Sequence, residues 1–168
     1  AWRVTEELAE ATEAMVKHAD IPQHAKEELG DALHFLIELD ILSGIDFDEQ
    51  IAPMAAIPKT LMRLPQCGLD RLHFLLRCAV HPSGPLVDHV RGSAYLVIEE
   101  LGKAMNCLKQ KPWKQTHILT DKAKYRAHLA QANLHFFYTA LLLMDPKELY
   151  DVYCRKKQVN EFRIRSQY

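Results

Sequence analysis

Two pairs of acids stand near the start of the chain, Glu6-Glu7-x-x-Glu10 and, sixteen residues later, Glu27-Glu28-x-x-Asp31. Residues three apart share one side of a helix, so Glu7 with Glu10, and Glu28 with Asp31, each present two carboxylates in one direction. Two helices joined by a short connection would turn these pairs toward each other. On the second segment the stripe of Glu28 and Asp31 continues as Ala32, Phe35, Leu39 and Leu42, a core-facing pattern. Glu27, His34 and Glu38, like Glu6, Glu13 and Lys17 on the first segment, fall on the side assigned to solvent. Four converging carboxylates repel one another and are costly to desolvate, which either raises their pKa or recruits a cation. An all-oxygen set with no cysteine or histidine at matching spacing favours a hard ion. Mg²⁺ fits best, since it takes a few carboxylates and completes its shell with waters and phosphate oxygens. Acid pairs at this spacing are also common on solvated helix faces. What sets these two apart is that both merge into apolar stripes.

At the other end, Lys156, Asn160 and Arg163 recur at i, i+4 and i+7, a stripe that Tyr153 and Leu149 extend toward the N-terminus. Lysine binds phosphate as a point charge and arginine as a fork, while an asparagine amide both donates to and accepts from a base edge or a sugar hydroxyl. A basic last turn also complements the helix dipole, so the stripe alone admits either reading.

The elements that must hold these residues are all helical by pattern. Glycine is scarce, with 6 in 168 residues, and apolar residues recur at helical rather than alternating spacing. Helices are expected at about 2–18, 23–42, 69–80, 86–108, 121–144 and 145–163. Ser43-Gly44 ends the second, Asp145-Pro146 caps and starts the last, and Pro53, Pro58 and Pro65 divide short helical pieces between them. His81-Pro82-Ser83-Gly84-Pro85 reads as a loop. An internal repeat appears when the helices are laid over one another. Glu6-Glu7-Leu8-Ala9-Glu10-Ala11 is echoed by Glu99-Glu100-Leu101-Gly102-Lys103-Ala104, and Leu33-His34-Phe35 by Leu134-His135-Phe136. The expected fold is therefore an all-α helical bundle built from a duplicated helical hairpin, a four-helix core with extra helices in one domain over 1–168. Its acidic half covers about 1–60 and its degenerate half about 86–168. Where the first half has Glu10, Glu28 and Asp31, the second has Lys103, Leu129 and Ala132, so one metal site per chain is expected, with Glu99 and Glu100 on an exposed or ion-paired face.

The chain resembles the all-α NTP pyrophosphatases (the MazG-like superfamily), within them the branch of dimeric dUTPases and phage dCTP pyrophosphatases. The matching pieces are Trp2-Arg3 ahead of Glu7-x-x-Glu10, then Glu28-x-x-Asp31-x-Leu33-His34-Phe35, and the terminal Leu149-Tyr150-x-x-Tyr153-x-x-Lys156-x-x-x-Asn160-x-Phe162-Arg163-x-x-x-x-Tyr168. Lys111-Pro112-Trp113-Lys114 resembles a further element of the group. The resemblance implies that Glu7, Glu10, Glu28 and Asp31 hold catalytic Mg²⁺, that Lys156, Asn160, Arg163 and Tyr168 contact the nucleotide, and that a homodimer forms. It implies hydrolysis of a deoxynucleoside triphosphate, dUTP or dCTP, to the monophosphate and pyrophosphate. Lys157, Ile164 and Gln167 stand where the family usually has asparagine, glutamine and glycine, which leaves the base open. A broad-specificity MazG-like pyrophosphatase and a catalytically silent helical binding or dimerisation module are the competing readings.

Composition narrows the setting. Lys plus Arg at 21 against Asp plus Glu at 22 leave a formal charge of −1, which gives no field to recruit a nucleic-acid polymer or a membrane. The four cysteines form no Cys-x-x-Cys pair, and no apolar run reaches the roughly 18 residues that span a bilayer. Cytoplasmic residence, in a bacterium or a phage-infected host, is the expectation. The chain opens on alanine with Trp2 already in a helical pattern, which leaves room for sequence ahead of it.

Overall fold

The structure is a computed structural model that describes residues 1–17, 21–45, 73, 84–108 and 120–166. These residues form five α-helices and, among them, no strand: α1 (Trp2–Lys17), α2 (Gln23–Ser43), α3 (Leu86–Cys107), α4 (Lys122–Leu143) and α5 (Pro146–Arg165). Apart from His73, the expected helix at about 69–80 lies outside the described residues, as do the divided pieces around Pro53, Pro58 and Pro65 and Lys111, Trp113, Lys114 and Tyr168.

Local chemistry sets the helix ends. Gly44 takes a left-handed φ of 61°, and its N–H donates to Ile41 O while that of Ile45 donates to Asp40 O, which closes α2 and satisfies two of its last carbonyls. Asp121 accepts from Lys124 N at 3.0 Å and Asp145 from Glu148 N at 2.8 Å, each serving as an N-cap, with Pro146 in the first turn of α5.

The helices pair as the repeat predicts. α1 packs chiefly on α2 and α3 chiefly on α4, and the two hairpins join through α1 against α3 and α2 against α4. Val4, Leu8, Ala11 and Met15 line the inner face of α1, while Val90, Val97, Leu101 and Ala104 do the same for α3. α4 is buried nearly all round its second half, with Phe136, Phe137, Thr139, Ala140, Leu141 and Leu143 enclosed, because α2, α3 and α5 all touch it. Leu141 and Leu143 thus belong to the core. α5 lies against α2 and buries only Leu149 and Val152.

Polar staples cross the core where they are fully paired, the condition under which buried polar groups are tolerated. Asn133 Nδ2 on α4 donates to both carboxylate oxygens of Asp40 on α2, at 3.0 and 2.8 Å. Thr139 Oγ1 donates to Ser93 Oγ at 2.8 Å between α4 and α3. The Tyr125 hydroxyl lies 2.8 Å from Ser43 Oγ at the lower end of α2.

Candidate metal and phosphate site

Glu7 on α1 and Glu28 on α2 are drawn into the hairpin interface by their neighbours. Glu7 sits between Val4, Leu8 and Ala11 on the buried face of α1, and Glu28 between Ala25, Leu29 and Ala32 on that of α2. They end 8% and 7% exposed, unusual for carboxylates. Asp31, one turn along α2 and half-buried, joins them, and an oxygen of each residue lies within 4.8 Å of one from each of the others.

The charges are in conflict. Burial, a hydrogen bond shared with Glu28 and the fields of Asp31, Glu28 and Glu10 push the Glu7 carboxyl up to about 7. Burial likewise raises Glu28, although the bond from Glu7 and the ammonium of Lys156 pull it back, and His24 Nδ1 stands 3.1 Å from its Oε1. In the metal-free protein Glu7 therefore keeps its proton up to about pH 7 and can donate it in a hydrogen bond to Glu28. A fold that holds three carboxylates this close, two of them buried, is suited to a hard divalent cation, which would replace that proton. Glu10 differs. It is exposed and its carboxylate is not part of the converging set, though its field reaches both Glu7 and Glu28.

α5 brings one residue of the basic stripe, Lys156, to this cluster. Lys156 Nζ lies 2.6 Å from Asp31 Oδ2, with both side chains mostly buried. Asn160, half-buried, and Arg163, exposed, continue along the same helix. His34 stacks on Tyr153 with ring centroids 4.1 Å apart, and its Nδ1 is 3.0 Å from Gly30 O. Solvent assignment was wrong for His34, because α5 lies over it. Leu42, placed on the core stripe, is 78% exposed, because at this end α2 turns the side of Asp40 and Ser43 toward α4. Arg3 stands over the Phe35 ring at 5.5 Å and bonds Glu6 at 2.6 Å, adding a cation at the rim. Beyond Tyr153 the α2–α5 seam opens into an apolar cleft of about 360 Å³ walled by Leu33, Ile37, Tyr150 and Tyr153 among others.

Gly30 makes the approach possible, and pattern reading passed over it. A Cβ at this position would lie 2.7 Å from Val152 Cγ1 and 3.4 Å from Lys156 Cγ. A lone glycine inside a helical run was the available signal, but not a decisive one, since Gly92 and Gly102 lie in α3 with open space where a Cβ would stand. Gly30→Ala should therefore destabilise the protein. Overpacking against the stiff, β-branched Val152 costs about 1–3 kcal/mol, against about 1 kcal/mol returned by better helix propensity. Chemical denaturation measures the balance, and Val152→Ala in the same background should recover most of the loss. A net gain in stability for Gly30→Ala alone would mean that α5 is not seated on Gly30.

The second hairpin supplies an internal contrast. Lys103, in the place of Glu10, bridges Glu99 Oε1 at 2.9 Å and Glu100 Oε1 at 2.6 Å, and His128 Nδ1 lies 2.7 Å from Glu100 Oε2. Burial would raise Glu100, but Lys103 and His128 outweigh it and hold the carboxyl below its ordinary range. Glu99 and Glu100 are thus ion-paired, and among the described residues Glu7, Glu28 and Asp31 form the one converging acidic group.

Comparison with protein-family models, curated proteins and solved structures finds no match to this chain. Among the described residues no helix is long and apolar enough to cross a membrane.

Proposed function

We propose that the chain is a Mg²⁺-dependent pyrophosphohydrolase of deoxynucleoside triphosphates, with dUTP or dCTP as substrate and the monophosphate and pyrophosphate as products. The observation that carries this reading is the meeting of three carboxylates from two helices with Lys156 from a third. Glu7, Glu28 and Asp31 are the residues that would hold the metal, with Glu10 at the rim. A divalent cation there supplies neutralisation of phosphate charge and acidifies water. The chain's own contributions are separable. Glu7 would also help to deprotonate or orient the attacking water. Lys156 and Arg163 would bind phosphate oxygens and Asn160 a base edge or sugar hydroxyl, while the cleft beside Tyr153 offers apolar area to a planar base. The resemblance further implies a homodimer, and size-exclusion chromatography with light scattering addresses that separately.

The test is pyrophosphate release from a panel of deoxy- and ribonucleoside triphosphates, with and without Mg²⁺, for the wild type beside Glu28→Gln. Metal-dependent release confined to one or two deoxypyrimidine nucleotides, and lost in the variant, is the expected result. Release from many nucleotides would replace it with a broad house-cleaning activity. No release from any nucleotide by folded protein would sink the enzymatic reading and favour a silent binding module.

A further inference from the structure

Two lysine–carboxylate bridges cross the seam between α2 and α5. Lys26 Nζ lies 2.6 Å from Glu148 Oε1, and neither residue belongs to the converging acidic group. Lys156 Nζ lies 2.6 Å from Asp31 Oδ2, and Asp31 is one of the three converging acids. An ammonium at that distance occupies a carboxylate oxygen that a divalent cation would need, so the two cations are rivals for Asp31. The other hairpin shows a lysine in a fixed version of this role. Lys103 bridges Glu99 and Glu100 from within its own helix, one turn away. Lys156 instead reaches over from a separate helix on a flexible four-carbon stem, and its side chain keeps 23% exposure, so it has somewhere to go.

Resting on the function proposed above, we propose that Lys156 is a resident counter-cation of the acidic cluster, displaced from Asp31 by the divalent metal and thereby released to bind a substrate phosphate. The ammonium lowers affinity for the metal alone. It becomes a phosphate ligand only once the metal has entered, so metal and nucleotide favour each other's binding, a coupling that acts equally in both directions.

Calorimetric titration of the full chain with Mg²⁺ alone, comparing wild type, Lys156→Met, Lys156→Gln and Lys26→Met, tests the rivalry. Removing the ammonium should tighten Mg²⁺ binding about fivefold in both Lys156 variants, the scale set by a partly exposed ion pair, and leave Lys26→Met at the wild-type value. Trace acetylation read by mass spectrometry tests displacement itself. Modification of Lys156 should rise severalfold as Mg²⁺ saturates the wild type, while that of Lys26 stays level. Equal or weaker Mg²⁺ binding by the Lys156 variants, or unchanged acetylation of Lys156 in a wild type that binds Mg²⁺, overturns the displacement and leaves the metal site standing. Absence of Mg²⁺ binding in the wild type and in both Lys156 variants removes the site, and the proposed function with it.

Discussion

Replacing Glu7 by glutamine should make the metal-free protein more stable at pH 8 and, in the same variant, abolish its stabilisation by Mg²⁺ and sharply lower its proposed activity. The sign follows from proton counting. The Glu7 carboxyl is raised in the folded chain to about 7 from an ordinary 4.5. Below the lower value both folded and unfolded chains hold the proton. Between the two values the unfolded chain has lost it and the folded one has not, so stability falls as pH rises and stays low above about 7. Glutamine has no proton to lose, and its variant escapes this decline. The gap over wild type should be near zero at pH 4 and on the order of 2 kcal/mol at pH 8, or about 4–8 °C in melting temperature for a chain of this size. Thermal unfolding across that range with a chelator present measures it. A gap of the same size at both ends would show that Glu7 carries no strained charge. With Mg²⁺ added, the wild type should recover increasingly as pH rises, because the metal neutralises the carboxylate that has lost its proton, whereas the variant should not respond. Loss of the proposed proton acceptor should lower kcat by about 10²–10⁴-fold.

The second large effect belongs to the core. Asn133→Leu removes the Nδ2 group that donates to both carboxylate oxygens of Asp40, which is 4% exposed between α2 and α4. Stripping hydrogen bonds from a buried charge should cost about 3 kcal/mol, which corresponds to a melting temperature lower by about 6–12 °C. Equilibrium denaturation reads this directly. The double variant Asp40→Leu/Asn133→Leu should recover much of the loss, because an apolar pair carries no unsolvated charge. A single variant within about 0.5 kcal/mol of wild type would mean that the Asp40–Asn133 pair contributes nothing beyond the packing around it.

What the sequence made legible follows from which forces are local. Helix ends were readable at Gly44, Asp121 and Asp145 because capping depends on a few neighbouring residues. The pairing of α1 with α2 and of α3 with α4 was readable because the duplication states it twice. Glu7, Glu28 and Asp31 were found by spacing alone, since i, i+3 geometry fixes their direction before any packing is known. Glu10 shows where that rule thins out. Three residues turn a helix by less than a full circle, so one member of a pair can sit inside the packed face and the other at its edge. The Lys156–Asp31 contact, the stack of His34 on Tyr153 and the seat of Val152 on Gly30 were not legible. Each depends on where α5 crosses α2, which no periodicity within either helix specifies.

The shallow seat of α5 has a further consequence. Four helices share an enclosed core, but α5 contributes only Leu149 and Val152 to it, both in its first half. Segments with few buried apolar contacts open at a smaller free-energy cost than the core beside them. α5 is therefore the natural unit of partial opening, and it is the helix on which Lys156, Asn160 and Arg163 are strung. If those residues grip a ligand as proposed, it would act as a clasp across the α2–α5 seam, and its apparent affinity would be set partly by the fraction of molecules in which that seam is already closed.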